Sequence, residues 1–353
     1  MTYLSVSAPA GMAGEGVYAA AALADAAKTV PISAWTFDGE SLHAGGLCVP
    51  PALPLDDYPA EPVVERQDGA LIRAGDLALA LARTVPAVNP DDHRYGLNGV
   101  HVERQGDLCR FVATDGSCLH WHDFPAVGLD GVMLPRRMLL PRAGVALLAR
   151  AVALIPADAE VVLRFGRPDG ARVQWTRVEA PGWSLQLCLI DGEFPAYRKV
   201  LPETWSSLGF TIEVAALRDA FSRAVAVARD RFHTTCCRVD AVESLLHVEA
   251  GGGPDDSGTL AASVPFDGPS SSTWEGLEPG ECFTFGVDAS LMRAALIACA
   301  PAERVTVRFE SAAREGGELQ AYLSPILLVP GGAPLGEVME APTCFIVMPI
   351  RLD

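Results

Sequence analysis

The feature that most constrains this chain is one helical pattern followed by several short strand patterns, recurring along its length. Apolar residues fall at helical spacing in five Ala/Leu/Val-rich windows, residues 20–29, 72–85, 131–154, 213–232 and 287–299. Strand-like text follows them. After the second window, "GVHVERQGDLCRFVATDG" alternates Val100 and Val102 with polar neighbours and turns at Gln105-Gly106-Asp107. After the third, "EVVLRFGRPDGARVQW" reads as a hairpin through Pro168-Asp169-Gly170, and "RVTVRFES" follows the fifth. A helix and then several strands, repeated, predicts an α+β fold and not the alternating βα text of a doubly wound parallel sheet.

The 353 residues are half apolar, enough for two to three domains at about 150 residues each. Arg, Pro or Asp interrupts every long apolar stretch, so none is long enough to cross a bilayer, and no charged-then-apolar leader opens the chain. Nine cysteines, an odd number without a CxxC pair, point to reduced thiols and a cytoplasmic protein.

The net charge of −17 taken alone argues against a nucleic-acid partner, but its distribution does not. The five helical windows hold twelve basic residues against six acidic ones, so they are positive while the remaining text carries −23. Helices sharing one surface would attract phosphates without base-specific contacts. The competing reading is that amphipathic helices simply expose Arg to water.

An internal echo sets the domain period. "LPLDDYPAEP" at 53–62 is answered by "LIDGEFPAYRKVLP" at 189–202, with Pro59 and Pro195 lying 136 residues apart. Two helix-plus-strands units then make one domain. The expected organisation is a partial domain at 1–66 showing only its second half, a domain at 67–204, and a domain at 205–353 with a loop-like insertion near 251–280. Stepping back one period from residue 66 lands about 70 residues before Met1, so five units stand where six would complete the series.

Four motifs in order, "RYGLNGV" (94–100), "VATDG" (112–116), "LIDGEFPAYRKVLP" (189–202) and "FIVMPIRL" (345–352), give the chain its resemblance to the bacterial DNA polymerase III beta subunit, the sliding-clamp family. The resemblance implies a sliding-clamp fold, an arc of repeated units with helices inside and antiparallel sheets outside, closing head-to-tail with a second copy when the first domain is complete. It implies a non-catalytic processivity factor that encircles duplex DNA without sequence preference. Arg73, Arg83, Arg142, Arg150, Arg218, Arg223 and Arg293 are the expected DNA-facing cations. It also implies a cleft for short linear motifs of polymerase and clamp-loader subunits. Matched position by position, the cleft is Leu97, Thr114, Gly116, Leu119, Pro195, Lys199, Val200, Leu323, Pro325, Val347, Met348, Pro349, Ile350, Arg351 and Leu352. Ser117-Cys118 stands where the family has His-Arg, which removes two polar contacts at the cleft border. The alternative reading is a clamp-fold peptide-binding module that does not encircle DNA.

Other chemistry is set aside. His120 and His122 in "HWH" alternate like two ligands, but no third is near in sequence, and they are read as a sheet-surface pair. Cys236-Cys237 beside His233 invites a thiol nucleophile, yet adjacent strand residues project to opposite faces. No phosphate-binding glycine loop is present, and no metal, cofactor or membrane partner is expected.

Overall fold

The computed structural model describes residues 2–6, 35–37, 41–44, 46–51, 69–91, 93–105, 107–128, 138–166, 174–201, 209–228, 233–251, 258–267, 282–309, 313–315, 318–320, 325–331, 341–350 and 352. Strand β1 (Thr2–Val6) comes first, then a small antiparallel sheet of β2 (Trp35–Phe37), β3 (Leu42–Ala44) and β4 (Leu47–Val49). Four units of one design follow. The first is β5 (Ala70–Arg73), α1 (Ala74–Thr84), β6 (Gly99–Gln105), β7 (Leu108–Thr114) and β8 (Cys118–Pro125); the second is β9 (Leu139–Pro141), α2 (Arg142–Val152), β10 (Glu160–Gly166), β11 (Trp175–Ala180) and β12 (Trp183–Cys188). The third is β13 (Gly209–Glu213), α3 (Val214–Val227), β14 (Thr234–Asp240), β15 (Leu245–Gly251) and β16 (Thr259–Asp267). The fourth starts with β17 (Cys282–Asp288), α4 (Ala289–Ala298) and β18 (Arg304–Phe309), then adds β19 (Ala313–Glu315) and β20 (Glu318–Gln320) before β21 (Ile326–Pro330), β22 (Thr343–Val347) and β23 (Pro349–Ile350).

The helices form where apolar residues recur every third or fourth position. Ala74, Leu77, Ala80, Leu81 and Thr84 of α1 are buried, as are Val214, Leu217, Ala220, Phe221 and Ala224 of α3. Among the described α-helices only α4 has a side-chain cap, through Asp288 accepting from Ser290 N at 2.7 Å and Leu291 N at 3.3 Å. The first helical N–H of each helix is satisfied by the partner unit. Ala74 N donates to Ala159 O at 2.9 Å and Arg142 N to Asn98 O at 3.1 Å; in the next pair of units, Val214 N donates to Glu303 O at 2.8 Å and Ala289 N to His233 O at 3.1 Å. Each acceptor immediately precedes the first strand after the partner helix. The same exchange pairs β5 with β10, β6 with β9, β13 with β18 and β14 with β17. Units one and two therefore share one core and units three and four another.

The window at 20–29 lies outside the described residues, as do the tips of the hairpins at Gly106 and 167–173. One expectation is corrected. Thr259–Asp267, read as part of a loop-like insertion, is strand β16, which pairs with β15 over seven positions and reaches β13. Leu260, Ala262, Val264 and Phe266 alternate toward the core, a signal masked by the Gly-, Pro- and Ser-rich text on both sides.

The two cores are joined by an antiparallel ladder between β22 and β8, running from Thr343↔His122 to Val347↔Cys118. Strand β1 pairs with β12 in the same antiparallel sense, so a late strand of a two-unit pair twice adds to an earlier strand. On the helix side of the β22–β8 joint lies Arg83, expected in the DNA-facing set. It is only 9% exposed, and its Nη1 donates to Thr343 Oγ1 at 2.9 Å and to His122 Nδ1 at 3.1 Å. Position 83 shares the buried face of α1 with Ala80 and Thr84, so the side chain has no route to the helix exterior. His120 and His122, expected on a sheet surface, are buried in the same joint. His120 Nδ1 bonds Arg83 O at 2.9 Å and its ring meets Phe345 edge-on.

A guanidinium only donates, so His122 Nδ1 accepts and the ring is neutral. Burial, with Arg83 adding to it at His122, pushes both histidines down to about 4. The unfolded chain takes up protons below its ordinary value of 6.5, so stability falls as the pH drops from there toward 4, by at most about 3 kcal/mol per ring. Urea titrations at pH 7 and pH 5 should show this loss, and His122→Gln should flatten it. Arg83→Ala should cost about 2 to 4 kcal/mol, whereas Arg150→Ala on the exposed side of α2 should stay within about 0.5 kcal/mol.

Candidate functional site

Strand parity divides the joint into two faces. Phe345 and Val347 of β22 enter the core of units three and four; Cys344 and Ile346 point the other way. On that outer face Cys344 and Ile346 meet Leu119 and Trp121 of β8, Val112 of β7, and Leu327 and Val329 of β21. A strand buried on both faces needs an uninterrupted apolar run, which is what "CFIV" supplies.

The segment after β12 lies over this cluster. Tyr197 is buried within it, and Phe194 and Leu201 pack against it. The segment is pinned by a polar row crossing three strands. Arg110, fully buried, forks onto Asp123 through Nε–Oδ1 at 2.6 Å and Nη2–Oδ2 at 2.7 Å, and its guanidinium stands 5.4 Å from the Trp121 ring centre. Opposite it, Glu103 accepts from the Tyr197 hydroxyl and, at 2.8 Å, from Arg198 Nη2. Burial works against the Glu103 charge, but hydrogen bonds from His101, Tyr197 and Arg198 outweigh it and hold the carboxyl down to about 2. Burial and the Glu103 carboxylate push the Tyr197 phenol up to about 12. His101 stacks on Phe194 at 4.9 Å and completes the clasp.

Of the expected cleft residues, Thr114, Gly116 and Leu119 frame the β7–β8 turn. The Thr114 hydroxyl donates to Cys118 O, and Gly116 has φ +96, a left-handed geometry that suits glycine. Met348 N donates to Ser117 O at 2.9 Å, joining this turn to the end of β22. Met348 is 40% exposed and Val200 64% exposed, with Pro195 and Lys199 also on the surface. Leu97 lies in a half-buried helical turn against which Gly192 packs, and Pro325 is buried just ahead of β21. Pro349 and Ile350 pair with Val287 and Gly286 of β17, and the Leu352 side chain lies on Gly286. Leu323 and Arg351 lie outside the described residues. Val347 is the exception: by parity it belongs to the inner core, and its neighbour Ile346 holds the outer position. Tyr197, on the segment after β12, and Trp121 and Ile346, on strands buried on both faces, were missed because no alternation along β8 or β22 marks the outer face.

The remaining arginines belong to the helix layer, where α1 packs on α2 and α4, and α4 on α3. Arg142, Arg150, Arg218 and Arg223 are exposed, Arg293 is half-buried, and Arg73 is exposed at the entry to α1. Arg223 pairs with Asp219 at 3.1 Å. Outside the cores, the described helices present five arginines against two aspartates, Asp76 and Asp219. Lys28, Arg136, Arg137, Arg229 and Arg231 lie outside the described residues. Cys236 and Cys237 do split between faces, Cys237 being fully buried with burial pushing its thiol up.

Comparison with known proteins locates this architecture. Residues 72–196 match the family model for the DNA polymerase III beta subunit, central domain. The beta sliding clamp of Vibrio cholerae is 28% identical over 218 residues, covering 61% of this chain and 55% of that protein. A beta sliding clamp homolog, GriR, from Streptomyces muensis is 27% identical over 258 residues, covering 70% of this chain and 64% of its own length. The chain thus spans a little over half the length of the curated relatives it matches. The crystal structure of the DNA polymerase III subunit beta from Pseudomonas aeruginosa superposes with a TM-score of 0.69 over 95% of this chain and 82% of that one, at 21% identity. The Thermotoga maritima beta subunit gives 0.66 over 90% and 76%, at 18% identity.

Tyr197→Phe should free the segment after β12 from Glu103 at a cost of about 1 to 2 kcal/mol in urea unfolding. Proteolysis at Arg198 or Lys199 should quicken in parallel.

Proposed function

We propose that this relative of the bacterial DNA polymerase III beta subunits works as a sliding clamp in DNA replication. It makes and breaks no covalent bond. Duplex DNA runs along the helix layer and partner proteins dock by short segments on the outer side of the β22–β8 joint. The observation that carries this reading is the division of the joint: helices and exposed arginines on one side, an apolar cluster with a clasped flap on the other. An arginine surface without base-reading geometry suits diffuse phosphate attraction, which is weak and screened enough to permit sliding.

The DNA-facing residues in this reading are Arg73, Arg142, Arg150, Arg218, Arg223 and Arg293, without Arg83. The docking residues are Leu119, Met348, Leu352, Val200, Pro195 and Lys199, with Ile346 and Tyr197 supporting them from below. Met is adaptable enough to accept several partner segments. The setting in this reading is cytoplasmic, and no helix among the described residues is long and apolar enough to cross a membrane.

In fluorescence-anisotropy titrations with duplex DNA, Arg142→Gln plus Arg150→Gln should lower the salt dependence of binding by about two units of log–log slope and leave folding intact. After loading by the host clamp loader, the protein should stay on nicked circular DNA and leave when the circle is cut. Equal release from circular and linear DNA would instead identify a peptide-binding module that does not encircle. Met348→Ala plus Leu352→Ala should weaken binding of a polymerase-derived peptide about tenfold or more, with retention on circles preserved.

A further inference from the structure

On the face of the third unit turned away from its core, β14 and β15 present Arg238, Asp240 and His247 outward, because Val239, Leu246 and Val248 point into the core. Arg238 lies opposite His247 in the ladder, and Asp240 opposite Leu245, so Asp240 and His247 are diagonal neighbours. The turn between the strands adds Glu243. One ligand atom from each of Asp240, Glu243 and His247 lies within 4.8 Å of the others.

Two features make this more than a patch of acidic surface. His247 Nδ1 is engaged by Ser263 Oγ at 2.9 Å, leaving Nε2 as the free ring nitrogen. Nε2 is out of contact with water and has no hydrogen-bond partner among the described residues. An imidazole fixed by a hydroxyl at one nitrogen, with the other nitrogen sequestered and the ring within reach of two carboxylates, has the arrangement of a metal-ligating histidine and its supporting contact. Asp240 is held as firmly, since Oδ1 accepts from Val242 N and Glu243 N, both at 3.0 Å. Around an ion with ligand bonds of about 2.0 to 2.2 Å, neighbouring donors sit about 3 to 4 Å apart, so a small movement of exposed Glu243 closes the set.

We propose that Asp240, Glu243 and His247 form a binding site for one divalent transition-metal ion of the zinc class. One imidazole and two carboxylates suit zinc better than calcium or magnesium, which prefer all-oxygen ligands. Arg238 is the competitor. Its Nη1 lies 3.8 Å from Asp240 Oδ2, and the side chain, 44% exposed, swings into solvent when a dication arrives. Bound there, the ion ties β14, the turn and β15 together at the hairpin tip.

The test uses the full chain stripped of metal with a chelator, with Zn²⁺ followed by calorimetry and Co²⁺ by visible absorption. One Zn²⁺ per chain is expected. His247→Gln should abolish binding, Ser263→Ala should weaken it about tenfold, and Arg238→Gln should tighten it. Metal-free melting temperatures of the variants should match that of the parent. The Co²⁺ form should show weak visible bands without the intense near-ultraviolet band of thiolate ligation. No Zn²⁺ binding, binding that survives His247→Gln, or a thiolate band marking the accessible cysteines as the true ligands would each overturn the proposal.

Discussion

Everything else in this molecule depends on the antiparallel contact between β22 and β8. It is the only ladder among the described residues that connects the core of units one and two with that of units three and four, and both of its faces are used. Toward the helices, Arg83 binds His122 and Thr343 across the junction. Away from them, Leu119, Trp121, Cys344 and Ile346 make a shared apolar patch roofed by Tyr197. Without the ladder, the two bodies would be held chiefly by the contact of α1 with α4, where Leu291 packs against both cores, and the outer apolar patch would be divided between them.

The joint also changes the electrostatic picture. A buried guanidinium must find hydrogen bonds inside the protein, because no water replaces them. Arg83 meets that demand at Nη1, through Thr343 and an imidazole that stays neutral, while its buried Nε has no hydrogen-bond partner among the described residues; its charge thus serves cohesion between the two bodies. Among the described residues, the positive character of the helix side then rests on the helix cations other than Arg83, carried chiefly by exposed Arg142, Arg150, Arg218 and Arg223.

Much of the fold was legible because burial leaves a period. The windows at 72–85, 213–232 and 287–299 each contain one helix, and the window at 131–154 contains β9 followed by α2. The limits of legibility have physical causes. Arg83 reads as solvent-facing because composition does not say which face of α1 packs inward. Val347 and Ile346 are both apolar and differ only in parity, which the run "CFIV" conceals. Strand β16 hides between flexible-looking flanks. Asp240, Glu243 and His247 look like ordinary hairpin text, since nothing in their spacing reveals a ring nitrogen closed off by Ser263.

The helix starts have a consequence for how the protein opens. Because α1 leans on the carbonyl of Ala159 and α2 on that of Asn98, neither can fray at its first turn without orphaning an acceptor beside its sister's strands, and the same holds for α3 and α4. Local unfolding of a single unit would thereby break hydrogen bonds at two helix starts and open a core shared with its partner unit. Among the described residues no helix start leans across the seam between the pairs, so opening there does not carry this double penalty.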